Sequence, residues 1–249
     1  MTDEQTQPTD EDVKPRSRGI YLLPNLFTTG ALFSGFYAVI AGMNGHFENA
    51  AIAVFVAMLF DGLDGRVARM TNTSSAFGAE YDSLSDMVSF GVAPALVAFT
   101  WVLDNTGKIG WFAAFIYVAC AALRLARFNT QIGSVDKKYF IGLPSPAAAA
   151  TVAGMVWAFA EFEVIPGTAM AYAIAAFVAS CGLLMVSNVL YHSFKEVDFK
   201  GKVPFMILAA IVLVVGVISI SPALFLWCLF LVYMLSGPAI WVWRKRRAL

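Results

Sequence analysis

Stretches of about 20 apolar residues recur along this chain, at 24–43, 47–66, 83–103, 109–128, 145–161, 167–190, 203–220 and 222–243. A hydrocarbon layer about 30 Å thick asks for roughly that length per helical span. Inside lipid a lone segment must satisfy its own backbone groups, which a helix does and an open strand does not. The expected fold is therefore an all-α integral membrane protein, a bundle of about eight transmembrane helices. Ser221-Pro222 separates the last two spans, because Pro cannot continue a helical hydrogen-bond ladder.

Charge supports the same count. With the amino terminus inside, the basic residues fall in cytoplasmic segments and helix ends, leaving Lys108 as the one outside among 17 Lys and Arg. Such retention of cations on the cytoplasmic side sets orientation during insertion, so both termini are expected there, in the inner or cytoplasmic membrane if the source is bacterial. Residues 1–18 are polar, with Asp3, Glu4, Asp10, Glu11 and Asp12, too little apolar surface to fold alone. The run that follows is longer than a signal-peptide core and lacks a small-residue cleavage site, so it reads as a span. The expected division is a tail at 1–18, a six-helix core at 19–190, and two further helices with a basic tail at 191–249.

A net charge of zero and a pI near 6.7 give no basic footprint for nucleic acid. Cys120, Cys181 and Cys228 lie singly in apolar runs, without the pairing of a disulfide framework or zinc site, and read as small packing residues.

Against this apolar background four aspartates stand out. The second helix is expected to end in Asp61-Gly-Leu-Asp64-Gly65-Arg66-Val-Ala68-Arg69, and the third to begin in Gly78-Ala-Glu-Tyr-Asp82-Ser-Leu-Ser-Asp86. Spacings of three and four put each acidic pair on one face of its helix, and a short loop between would aim all four carboxylates into one space. An Asp near the centre of a membrane helix costs about 2.5–3.5 kcal/mol on insertion scales, and converging anions repel one another. Divalent cations with oxygen ligands are the natural compensation, Mg²⁺ where phosphate is also bound. Gly65 and Gly78 would let a base or phosphate approach the backbone, and Arg69 carries a planar fork suited to phosphate.

The run from Asp61 to Asp86, D-x2-D-G-x2-A-R-x8-G-x3-D-x3-D, resembles the signature of the CDP-alcohol phosphotransferase family without a gap. That resemblance implies a pair of divalent metals, Mg²⁺ or Mn²⁺, held by Asp61, Asp64 and Asp82, and Asp86 as general base beside them. It implies that Gly65, Ala68, Arg69 and Gly78 line the CDP site together with Asp64 and Asp82, and that the protein is a homodimer with its active site at the cytoplasmic face.

Three further stretches are similar to the serine-accepting branch of that family: Ser85 to Pro94, Arg124-Leu-Ala-Arg127-Phe128-Asn129, and Gly142 to Ala147, together with Pro24-Asn25 placed before the first helix. The implied reaction moves a phosphatidyl group from CDP-diacylglycerol to L-serine, giving phosphatidylserine and CMP. A zwitterionic acceptor wants a cation, which Arg124 and Arg127 can offer, with Asn129 as a neutral partner. Lys137 and Lys138 read as solvated loop lysines, and Pro144-Ser145-Pro146 as a device for starting the fifth span. Other acceptors, namely glycerol phosphate, inositol phosphate or choline, remain open. A divalent-cation transporter is less favoured, because its acids should sit near the bilayer midplane in several helices.

Overall fold

A computed structural model describes residues 18–73, 75–130, 139–192, 216 and 220–247. Almost all of it is helix. Helix α1 (Arg18–Met43) packs along α2 (Phe47–Thr71), and a short connection leads to α3 (Ala76–Asp86). A π-helical turn (Met87–Val92) joins α3 to α4 (Ala93–Trp101), making one long apolar rod. A 3₁₀ turn (Leu103–Thr106), α5 (Lys108–Thr130), α6 (Ser145–Glu161), α7 (Thr168–Val186) and α8 (Pro222–Arg247) follow.

Five of these segments are long and apolar enough to cross a bilayer: Leu23–Met43, Ala76–Trp101, Lys108–Thr130, Thr168–Val186 and Pro222–Arg247. The chain is an integral membrane protein, and these five spans are counted among the described residues alone. Helix α2 is long enough to cross but carries Asp61, Asp64, Arg66 and Arg69 in its later turns, which makes it less apolar than these five. Helix α6 has only 17 residues, about 26 Å at 1.5 Å per residue, and its unbroken run Ala147–Val156 is buried, so its surroundings are protein rather than lipid. The span expected at 203–220 lies outside the described residues except 216 and 220, as do Lys137 and Lys138.

Two cores hold the bundle. One gathers Ala38, Ala50, Ala53, Val54, Phe90 and Ala153 between α1, α2, α6 and the π-turn; the other places Tyr117, Cys181, Val152, Val178 and Met185 between α5, α6 and α7. Alanine and glycine dominate where helices cross, as expected where lipid supplies no hydrophobic drive and close packing must serve instead. At Gly35 an added Cβ would lie 2.7 Å from the Ser89 Cα, and at Gly182 it would lie 2.8 Å from the Tyr117 Cα. Of the three cysteines Cys120 and Cys181 are buried, while Cys228 is exposed, a correction to the packing role expected for it.

The helix ends differ from the sequence expectation in an instructive way. Pro24-Asn25 lies inside α1, not before it. Helix α2 runs five residues past 66 and closes at Asn72 in the left-handed conformation (φ 54°), a role Asn fills with little strain. Helix α3 starts at Ala76, capped by the Ser75 hydroxyl, which accepts from the Gly78 N–H at 3.0 Å. A small antiparallel pair, β1 (Tyr139–Ile141) and β2 (Leu190–His192), departs from a purely helical fold.

Candidate active site

The acidic signature flanks the short connection 72–75, as expected: Asp61 and Asp64 lie in the later turns of α2, Asp82 within α3 and Asp86 at its end. Asp61, Asp64 and Asp82 each offer a carboxylate oxygen within 4.8 Å of the others. Asp86, one turn beyond Asp82, faces both Asp61 and Asp82 and has Arg124 of α5 as its neighbouring cation. Two helices thus bring all four aspartates to one place.

The most enclosed member is Asp64, only 5 % exposed. Burying a carboxylate is costly unless it is paired and hydrogen-bonded, and α1 answers that cost. The Thr28 hydroxyl donates to Asp64 Oδ2 at 2.8 Å, while Arg69 lies close enough to act on Asp64 electrostatically. Helix α3 is bolted to α1 nearby, through Ser85 Oγ donating to the Thr28 carbonyl at 3.1 Å and a Thr29–Tyr81 hydroxyl contact at 2.9 Å. Nothing in the spacing of the acids points to these hydroxyls. Their one signal was polar residues recurring inside apolar runs beside the acids.

Hard oxygen donors this close suit a divalent cation. Three carboxylates inside 4.8 Å repel unless positive charge sits among them, and an all-carboxylate set matches Mg²⁺ or Mn²⁺ rather than a soft metal.

The signature's small residues lie around the acids. Gly65 is within α2, where an added Cβ would meet only Arg69 Nη1 at 3.5 Å, and Ala68 follows one turn later. Gly78 is in the first turn of α3, where a Cβ would lie 3.1 Å from Ser75 Oγ and 3.5 Å from Asn25 Oδ1. Arg69 is exposed.

On α5 the expected acceptor residues separate. Arg124 turns toward Asp86 and donates to the hydroxyl of Ser145, which is 1 % exposed at the start of α6. Asn129 pairs with Ser83, the neighbour of Asp82, its Nδ2 donating at 3.0 Å. Arg127 points elsewhere: its guanidinium donates to the carbonyls of Ile141 (2.9 Å), Val186 (3.2 Å) and Met185 (3.4 Å). It therefore ties β1 to the carboxyl end of α7, where carbonyls lack helical partners and a cation is favoured by the helix dipole.

Known proteins share much of this sequence. A family model described as CDP-alcohol phosphatidyltransferase matches residues 21–180. A Helicobacter pylori protein named CDP-diacylglycerol–serine O-phosphatidyltransferase is 40% identical over 195 residues, covering 78% of this chain and 82% of its own. Proteins of the same name from Methanocaldococcus jannaschii and Mycobacterium leprae are 36% and 31% identical, covering 80% and 90% of this chain and 87% and 77% of theirs.

Proposed function

The chain belongs to the CDP-alcohol phosphatidyltransferase family, and we propose that it transfers the phosphatidyl group of CDP-diacylglycerol to the hydroxyl of L-serine, forming phosphatidylserine and CMP. The observation that carries this is the meeting of four carboxylates from α2 and α3 with Arg124 opposite, in a chain whose relatives carry that enzyme's name.

Asp61, Asp64 and Asp82, with Asp86 at their edge, would hold two divalent ions, Mg²⁺ or Mn²⁺. Bound there, the ions would offset the charge of the diphosphate and stabilise the departing CMP oxygen. Thr28 fixes the rotamer of Asp64 by its hydrogen bond, as partners of metal ligands commonly do. Gly65, Ala68 and Gly78 leave room for the cytidine nucleotide, and Arg69 supplies a charged fork for its phosphates.

Serine's hydroxyl is a weak nucleophile until a base takes its proton. Asp86 would accept that proton as the serine oxygen bonds to the phosphatidyl phosphorus. The bond from that phosphorus to the bridging oxygen breaks, and the oxygen leaves with CMP. Arg124, already facing Asp86, would receive the serine carboxylate, with Asn129 as a hydrogen-bond partner; Arg127 supports them from behind by holding the β1 strand and α7 together.

Arg66 and Arg69 on the acidic end of α2, with Arg124 and Arg127 near the end of α5, support a site at the cytoplasmic face by the positive-inside tendency. Labelling of single cysteines introduced at Arg66 and Glu161 in sealed vesicles of known orientation tests that placement. Cross-linking in the membrane tests the homodimer expected of the family.

The deciding assay incubates purified protein with CDP-diacylglycerol and labelled serine, with and without chelator. CMP release should require serine and a divalent ion. CMP release with glycerol phosphate, inositol phosphate or choline in place of serine, and not with serine, would move the acceptor elsewhere.

A further inference from the structure

The rod that carries Asp82 and Asp86 is not a uniform helix. Immediately after Asp86 it widens into the π-turn Met87–Val92, marked by the Ala93 N–H bonding to the Val88 carbonyl five residues back. Such a turn contains one residue more than the α-helix needs, and these insertions occur often at functional sites. Its effect is rotational. One residue corresponds to about 100° of helix, so the turn determines which way α3 faces relative to α4.

Helix α4 is not free to absorb that rotation. Ala93, Pro94, Ala95, Val97 and Ala98 are buried, and the Ser89 hydroxyl is fixed to the Ala31 carbonyl at 3.0 Å, with Gly35 directly opposite. If the turn relaxed to ordinary helix, the change would fall on the shorter α3, breaking its Ser85 and Tyr81 bonds to α1 and carrying Asp82 and Asp86 away from Asp61.

Two groups keep the turn open. Pro94 has no N–H, so the Phe90 carbonyl lacks its α-helical donor. Tyr117 of α5 supplies another: its hydroxyl donates to the Phe90 carbonyl at 3.1 Å, and its ring is fully buried. Gly182 of α7 presses against the Tyr117 backbone, leaving the phenol little freedom to withdraw.

We propose that Tyr117 is a positioning residue for phosphatidyl transfer: by holding the Phe90 carbonyl it preserves the π-turn that directs Asp86 toward Asp61. This rests on Asp86 acting as the base. Tyr117 itself touches none of the reacting atoms in this scheme.

The test compares wild type, Tyr117→Phe, Pro94→Ala and the double variant, measuring CMP release with serine per mole of folded protein alongside thermal unfolding. Tyr117→Phe should lower kcat by about tenfold to a hundredfold, as small misplacements of catalytic groups do, with the KM for serine within about twofold of wild type if acceptor binding is separate from chemistry. Pro94→Ala restores an N–H to the Phe90 carbonyl, so it should lower kcat without lowering the unfolding temperature. In the double variant the unfolding temperature should recover from the Tyr117→Phe value while kcat stays low.

Wild-type kcat in folded Tyr117→Phe, or turnover recovering together with stability in the double variant, overturns the proposal. Should Tyr117→Phe fail to fold, wild-type kcat in Pro94→Ala does the same. Full activity of Asp86→Asn would instead remove the base on which the proposal rests, an outcome separable from any result at Tyr117.

Discussion

The Thr28 hydroxyl sits 2.8 Å from Asp64 Oδ2, and through that bond the first helix takes part in a site whose charged residues all come from other helices. Thr28→Val keeps the shape and removes the donor. Loss of a partner to a metal ligand typically costs 10–100-fold in metal affinity or activity, so the Mg²⁺ or Mn²⁺ concentration for half-maximal CMP release should rise by about that factor. Thr28→Ser should restore it.

Removing any of Asp61, Asp64 or Asp82 as Ala should abolish metal-dependent turnover, because the other carboxylates within 4.8 Å cannot replace a lost ligand at its position. Chelator should silence the wild type, and added Mg²⁺ or Mn²⁺ should restore it. Calorimetric titration of the metal into each variant, beside the CMP assay, separates lost binding from lost chemistry.

Asp86→Asn retains the shape and removes the proton acceptor. General-base contributions are typically 10²–10⁴-fold, so kcat should fall by about that amount while binding of CDP-diacylglycerol, measured directly, stays near wild type. A variant binding nucleotide normally and turning over at the wild-type rate would show that Asp86 takes no proton.

The two arginines of α5 should give different phenotypes. Arg124→Ala should raise the KM for serine with little change in that for CDP-diacylglycerol, since its guanidinium faces Asp86. Arg127→Ala removes donors from three carbonyls. Because hydrogen bonds to charged groups contribute about 1.5–3 kcal/mol each, it should lower the unfolding temperature more than serine affinity.

Gly142 adopts φ +80°, and a Cβ there would collide with the Met185 carbonyl and approach Arg127 Nη2 at 3.0 Å. Left-handed backbone costs a non-glycine residue about 1–2 kcal/mol, before the collision is counted. Gly142→Ala should therefore unfold at lower temperature, and the same experiment on Gly62→Ala, where nothing lies within 4 Å, provides the contrast.

Much of this molecule could be read from its sequence, because lipid imposes a length and a composition on each span. Helices α1, α5, α7 and α8 follow their apolar runs closely. Their ends do not, since hydropathy stops at a charge and a helix need not. Arg66 and Arg69 are good helix formers, so α2 continues past them until Asn72, while α3 begins well before the apolar residues that marked it. The four aspartates were visible through spacing alone, but Thr28, Ser83, Ser145 and Tyr117 act across helix interfaces, at sequence separations no periodicity encodes. The three-residue strands β1 and β2 were invisible for a related reason: their pairing spans about fifty residues and leaves no local pattern.

Only four residues, 72–75, stand between the end of α2 and the start of α3. At about 3.5 Å per residue this leash keeps the two acidic tips within reach of each other however far either rod leans in the bilayer. A lipid donor would therefore have to reach the carboxylates without the joined ends of α2 and α3 parting by more than that connection allows.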